Sequence, residues 1–99
     1  MRLEREEIVA IKGAVRHAFG TDAIVRLFGS RVDDCSRGGD IDLHVETAPL
    51  EDELGAKVKF ESYLFARIEE QKVDLIVTQR GGRPPRGFER IAYRDGIVL

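Results

Sequence analysis

The chain has 99 residues, with 16 lysines and arginines against 18 aspartates and glutamates, a net charge of −2 and a pI near 5.7; this is not the basic balance of a general nucleic-acid binder, and the length predicts a single domain over 1–99. One cysteine excludes an internal disulfide framework and a thiolate zinc cluster. No apolar run nears the roughly 18 residues of a membrane helix, and Met1-Arg2-Leu3-Glu4-Arg5-Glu6-Glu7 lacks a signal-like apolar stretch, so a soluble, cytoplasmic, globular protein is expected.

Ile8, Ile11, Val15 and Phe19 recur at steps of three and four, which predicts a first helix with one apolar face. Glu4, Glu6 and Glu7 suit its opening turns, and Gly20 is a good stop. Ala23-Ile24-Val25-Arg26-Leu27-Phe28 has the β-branched, apolar character of a strand and ends at Gly29-Ser30. Residues 33–39 form a polar, glycine-containing loop. Asp40-Ile41-Asp42-Leu43-His44-Val45-Glu46 alternates strictly, which predicts a strand with one polar and one apolar face. From about Leu50 to Gln71 the period is again helical, and Leu54, Val58, Glu61, Leu64, Phe65 and Ile68 trace the expected stripe. Val73–Val77 reads as a strand carrying one acid. Pro85 suits the first turn of a last helix with Phe88, Ile91 and Ala92 as its apolar residues, and Ile97-Val98-Leu99 is a candidate terminal strand. This alternation predicts α/β (α+β) layering, a sheet flanked by helices.

The chemistry concentrates in three places. Asp40 and Asp42 share a strand face, with α-carbons roughly 6.5–7 Å apart, and carboxylates so placed can bridge hard cations. The alternative is an exposed acidic strand face, which like-charge repulsion disfavours. Asp74 lies in an otherwise apolar strand, where a charge needs a metal or a cationic partner such as Lys72 or an arginine. Gly29-Ser30 after a strand offers a close backbone approach and a hydroxyl for a phosphate, with Arg31 to neutralise charge; Ser30 as a simple helix cap is the alternative. Triphosphate with Mg²⁺ needs both halves.

Leu27-Phe28-Gly29-Ser30-Arg31, nine residues, then Asp40-Ile41-Asp42-Leu43, with Asp74 on a later strand, resembles the signature of the DNA-polymerase-beta-like nucleotidyltransferases. At this length the chain resembles the minimal nucleotidyltransferase group. It departs from relatives at Gly38-Gly39, where a serine is common, and in the acidic Asp33 and Asp34 of the loop. The resemblance implies a mixed sheet of the polymerase-beta palm type. It further implies Asp40, Asp42 and Asp74 as metal-binding catalytic residues for two Mg²⁺ ions, and Gly29, Ser30 and Arg31 as nucleotide-binding residues for ATP. For the partner it implies a HEPN-domain ribonuclease toxin, which this chain as antitoxin would modify with AMP on a hydroxyl, a tyrosine in some members, in a hetero-oligomer.

Two alternatives stand beside that expectation. One is an antitoxin that neutralises its toxin by binding alone. The other is nucleotidyl transfer to a small molecule, against which the missing acceptor-holding domain counts. Arg86, Arg90 and Arg94 would form one basic stripe on a helix over 85–95, for a partner, RNA, the triphosphate or solvent. His44 is expected to be a satisfied structural histidine, His17 a helix-surface residue, and Tyr63 and Tyr93 packing residues. Cys35 has no setting for a catalytic thiol.

Overall fold

The computed structural model of the chain describes residues 3–29 and 40–99. The order is α1 (Arg5–Phe19), β1 (Ile24–Phe28), β2 (Ile41–Thr47), α2 (Glu53–Phe65), β3 (Val73–Gln79), α3 (Phe88–Asp95) and β4 (Ile97–Val98). The strands form one mixed sheet in the order β3-β2-β1-β4, in which β2 and β3 are parallel and the other neighbours antiparallel. Parallel neighbours need a crossover, and α2 supplies it. No helix among the described residues is long and apolar enough to cross a membrane.

Local chemistry sets the helix ends. The α1 helix opens with a reciprocal cap in which the Glu4 N–H donates to Glu7 Oε1 at 3.0 Å and the Glu4 carboxylate accepts the Glu7 N–H. It closes at Gly20, whose φ of 107° suits glycine. Its predicted stripe is buried from Ile11 through Val15 to Phe19, widened by Ala10 and Ala14. The α2 helix starts later than the pattern suggested, because Asp52 Oδ1 accepts the Gly55 N–H at 2.9 Å and caps it there. It also ends earlier, where the N–H groups of Arg67 and Ile68 both turn back to the Leu64 carbonyl.

The predicted α2 stripe needs correction. Ala56, Phe60 and Leu64 are buried, whereas Leu54 is 74% and Val58 56% exposed. The helix is rotated so that Phe60, fully buried, meets Phe19 with ring centroids 6.3 Å apart. Burying a phenylalanine stabilises by about 1.5–3 kcal/mol, and a valine at the same place would offer less area. Close contact with α1 at Gly13 reinforces the choice, since a Cβ there would stand 3.1 Å from Tyr63 Cε1.

Alternation along the strands divides the sheet into two faces. Val25, Leu27, Ile41, Leu43, Val45 and Val77 turn to α1 and α2 and make the core. Arg26, Asp42, His44, Glu46, Asp74 and Thr78 fall on the other face, aligned by the strand register. There α3 lies across the sheet, with the Tyr93 ring edge-on to His44 at 4.8 Å and the Arg26 guanidinium 4.6 Å from the Tyr93 centroid. This helix begins at Phe88 rather than at Pro85, because Gly87 takes φ 56° and ψ −126°, outside the helical region. Arg86 therefore precedes the helix, and only Arg90 and Arg94 of the expected basic stripe lie on it.

Candidate active site

Three strands bring the candidate residues to one end of the polar face. In the register Phe28 is the partner of Asp42, and Asp42 is the partner of Asp74. Gly29 follows directly with φ 78°; a Cβ on it would stand 3.1 Å from Asp42 Cγ and closer still to Oδ2. Glycine is thus required twice over, by backbone conformation and by space.

Asp42 is half-buried and Asp74 exposed, and the register sets the two side by side on the same face. Two carboxylates in neighbouring register positions repel each other unless a cation offsets them. Burial, then the nearby charges of Asp74 and Asp40, push the Asp42 carboxyl above its ordinary value of 3.8.

Asp40 sits one step before β2, and its Oδ2 is 3.3 Å from the Lys72 ammonium, one step before β3. The Ile41 N–H donates to the Lys72 carbonyl at 3.2 Å and ties the two strand starts together. Hydrogen bonding to Asp40, then the charges of Asp40, Asp74 and Asp42, hold the Lys72 ammonium above its ordinary pKa. Asp42 and Asp74 are brought together, whereas Asp40 faces Lys72. Among the described residues no three acid, histidine or cysteine side chains converge as a ready-made metal group.

A cavity of about 370 Å³ opens beside the pair. Asp42, Asp74 and Gly29 form its polar side, and Phe28, Ile76, Phe88 and Ile91 its apolar side. Phe88 is 67% exposed and covers no core. The sequence reading placed Phe88 and Ile91 only as apolar residues of the last helix. Ser30 and Arg31, together with Asp33, Asp34, Cys35, Gly38 and Gly39, lie outside the described residues.

Further along the same face the charged groups are paired. His44 is fully buried, with Nε2 2.9 Å from Thr78 Oγ1, and the Thr78 hydroxyl donates to the buried Glu89 carboxylate, which also pairs with Arg83. The single Thr78 proton goes to Glu89, so the His44 Nε2–H donates to Thr78 and Nδ1 is the bare nitrogen; it has no hydrogen-bond partner among the described residues. Burial, then the charge of Arg26, push the His44 pKa below 6.5 and keep the ring neutral. His44 is thus a structural residue, as expected, but only one of its ring nitrogens is satisfied among the described residues.

His17 is exposed and stacks on Tyr63 at 5.1 Å. Arg67 lies 3.5 Å over the Tyr63 ring, so both tyrosines serve packing, as expected. Sequence reasoning did not find Thr78 and Glu89; a threonine on a strand face and a glutamate on an amphipathic helix give no signal until the helix is docked. Compared with family models, curated proteins and solved structures, the chain shows no match.

Proposed function

We propose that the chain is a nucleotidyltransferase of the polymerase-beta-like type that uses Mg²⁺ and ATP to place AMP on a hydroxyl of a partner protein, a HEPN ribonuclease toxin, for which it serves as antitoxin. The observation that carries the reading is the in-register pair Asp42 and Asp74, closed against Gly29 at the mouth of a cavity of about 370 Å³. A buried fold gains nothing from two acids side by side. Hard oxygen donors of this kind suit Mg²⁺, so the residues present fit the metal, with Asp40 available once it parts from Lys72.

A bound metal would supply charge stabilisation on the phosphate oxygens and on the leaving pyrophosphate. The chain supplies the rest. Asp42, with Asp40, would hold the cation. Asp74, the more exposed carboxylate, would complete the cation's ligands and accept the proton of the acceptor hydroxyl. The acceptor oxygen then bonds to the α-phosphorus, the bond from that phosphorus to the β-bridging oxygen breaks, and pyrophosphate leaves. Gly29 admits the phosphates to the backbone; the resemblance assigns Gly29 and Ser30 to the β- and γ-phosphates, with Arg31 to neutralise negative charge nearby. Phe28, Ile76, Phe88 and Ile91 give a planar group an apolar wall and exclude water.

The test is incubation with α-labelled ATP, Mg²⁺ and the proposed HEPN partner. Label should reach the toxin with wild type and not with Asp42→Asn. No label at any stoichiometry, with a competent control enzyme, rejects the reading. The lysine on Asp40 favours a second reading, neutralisation by binding alone; there Asp42→Asn would neutralise the toxin as well as wild type does.

A further inference from the structure

The lysine at the acidic end of the sheet has a definite place in the register. Ile41 pairs with Val73 and Asp42 with Asp74, so Asp40 and Lys72 begin the same ladder one row earlier, on the face that carries the carboxylate pair. The Lys72 ammonium contacts Asp40 and also feels Asp42 and Asp74. Its side chain is 70% exposed, so no packing holds it there. Hydrophobic burial and hydrogen bonding to the core do not explain the position; the charge of the carboxylates does.

We propose that Lys72 is a further functional residue of this site, the resident counter-ion of the Asp40, Asp42 and Asp74 cluster, whose ammonium a divalent cation must displace from Asp40 to gain its third carboxylate. The inference rests on reading the cluster as a cation site. Two consequences of opposite sign follow. Without metal, the lysine offsets repulsion among the acids and steadies the paired starts of β2 and β3. With metal, the same lysine is a competitor, so a bare divalent ion binds more weakly than the carboxylates alone would hold it. Because the ammonium is solvated, the competition is screened by salt.

The experiment compares wild type, Lys72→Met, Lys72→Arg and Asp42→Asn on the full chain. Free Mn²⁺ is followed by electron paramagnetic resonance during titration with Mn²⁺ alone, and thermal melting is recorded in chelator and in excess Mn²⁺. Lys72→Met should bind Mn²⁺ about two- to fivefold more tightly than wild type at low salt, the range of an exposed ion pair, with the difference closing near 1 M NaCl. Lys72→Arg, which keeps the charge, should match wild type. Lys72→Met should melt below wild type in chelator and gain more from Mn²⁺. Equal or weaker Mn²⁺ binding by Lys72→Met, while Asp42→Asn loses it, overturns the role of Lys72 and leaves the cation site standing. Equal binding by wild type and Asp42→Asn overturns the cation site and this inference with it. Exposure of Lys72 makes a folding failure unexpected, and Lys72→Gln repeats the charge removal with a polar side chain.

Discussion

Gly29 offers the sharpest test of the site, because the chain carries its own control. Gly29 has φ 78° and Gly81 has φ 79°, so alanine costs the same backbone strain at either place. That strain is about 1–2 kcal/mol for a residue with a Cβ. In a chain of this size it lowers the melting temperature by about 4–8 °C per kcal/mol. The two positions differ only in what the methyl group meets. At Gly81 there is nothing within 4 Å. At Gly29 the Cβ stands 3.1 Å from Asp42 Cγ and closer to Oδ2. The Asp42 carboxylate is the end of a short, rotatable side chain, so it yields before the backbone does, and it turns away from Asp74. Both variants should therefore fold and melt lower by similar amounts. Gly81→Ala should bind Mn²⁺ as wild type does, and Gly29→Ala should lose at least about tenfold in affinity, the low end of what disturbing a ligand's support costs. The assays are differential scanning fluorimetry in chelator and Mn²⁺ titration. Equal Mn²⁺ affinity for the two alanine variants would show that Asp42 does not need its place beside Gly29, and the argument for the site would fail.

Three other outcomes are expected. Asp42→Asn should melt about 1–8 °C higher than wild type in chelator, because removing one of two neighbouring like charges recovers about 0.2–1 kcal/mol, while Mn²⁺ binding is lost; a lower melting point would mean that the pair is stabilising as it stands. Stability should fall in two stages with acid, measured by urea unfolding from pH 8 to 3. His44 has a folded pKa below 6.5, so the unfolded chain takes up its proton first and this contribution, full above 6.5, fades as pH falls below it. For Glu89, burial alone would raise the pKa, but the Thr78 hydroxyl and Arg83 outweigh it and hold it below 4.5, so its contribution is present above 4.5 and lost as pH falls through the folded value. His44→Gln should flatten the first stage only and Glu89→Gln the second only; an unchanged profile in either variant refutes the assignment. Phe88→Ala should change stability by less than about 0.5 kcal/mol, as at an exposed position away from the core, yet raise KM in the transfer assay with kcat little changed; an unchanged KM removes Phe88 from the cavity's function.

How much was legible beforehand depends on whether a residue's role is local. In β2 the strict alternation of Asp40 to Glu46 assigned both faces, and Ile41, Leu43 and Val45 are indeed fully buried. Gly20 and the acidic start of α1 are local signals too, and both hold. The α2 stripe failed because periodicity identifies an apolar face only when one such face exists. Here Leu54 and Val58 compete with Phe60 and Leu64, and contact with Phe19 and Gly13 of α1 decides between them. Asp74 was visible as a charge in an apolar strand, but its neighbour was not. Lys72 pairs with Asp40 rather than with Asp74, and that follows from the parallel register of β2 and β3, which no spacing along the chain encodes. Pro85 suggested a helix start that Gly87 overrides, since a positive φ at that glycine interrupts any helix begun before it.

The polar face of the sheet makes its own argument for a site, because its two ends are treated differently. Toward one end every buried or half-buried charge has a partner of opposite sign. Glu46 is held by Arg26 at 3.2 Å and Arg80 at 2.9 Å, and Glu89 by Arg83. Arg80 also reaches Asp22, so the pairing extends off the sheet. Toward the other end two aspartates stand in register, and the cation beside them, among the described residues, is an exposed lysine bound to a third acid. A chain that supplies arginines to Glu46 and Glu89 on this face is not short of basic residues for Asp42 and Asp74. Stability alone would favour pairing them or replacing them, since unpaired like charges at adjacent strand positions weaken the sheet. Their retention beside a glycine that makes room for one of them, and beside a cavity whose wall includes the exposed Phe88, is what the proposed cation site would require.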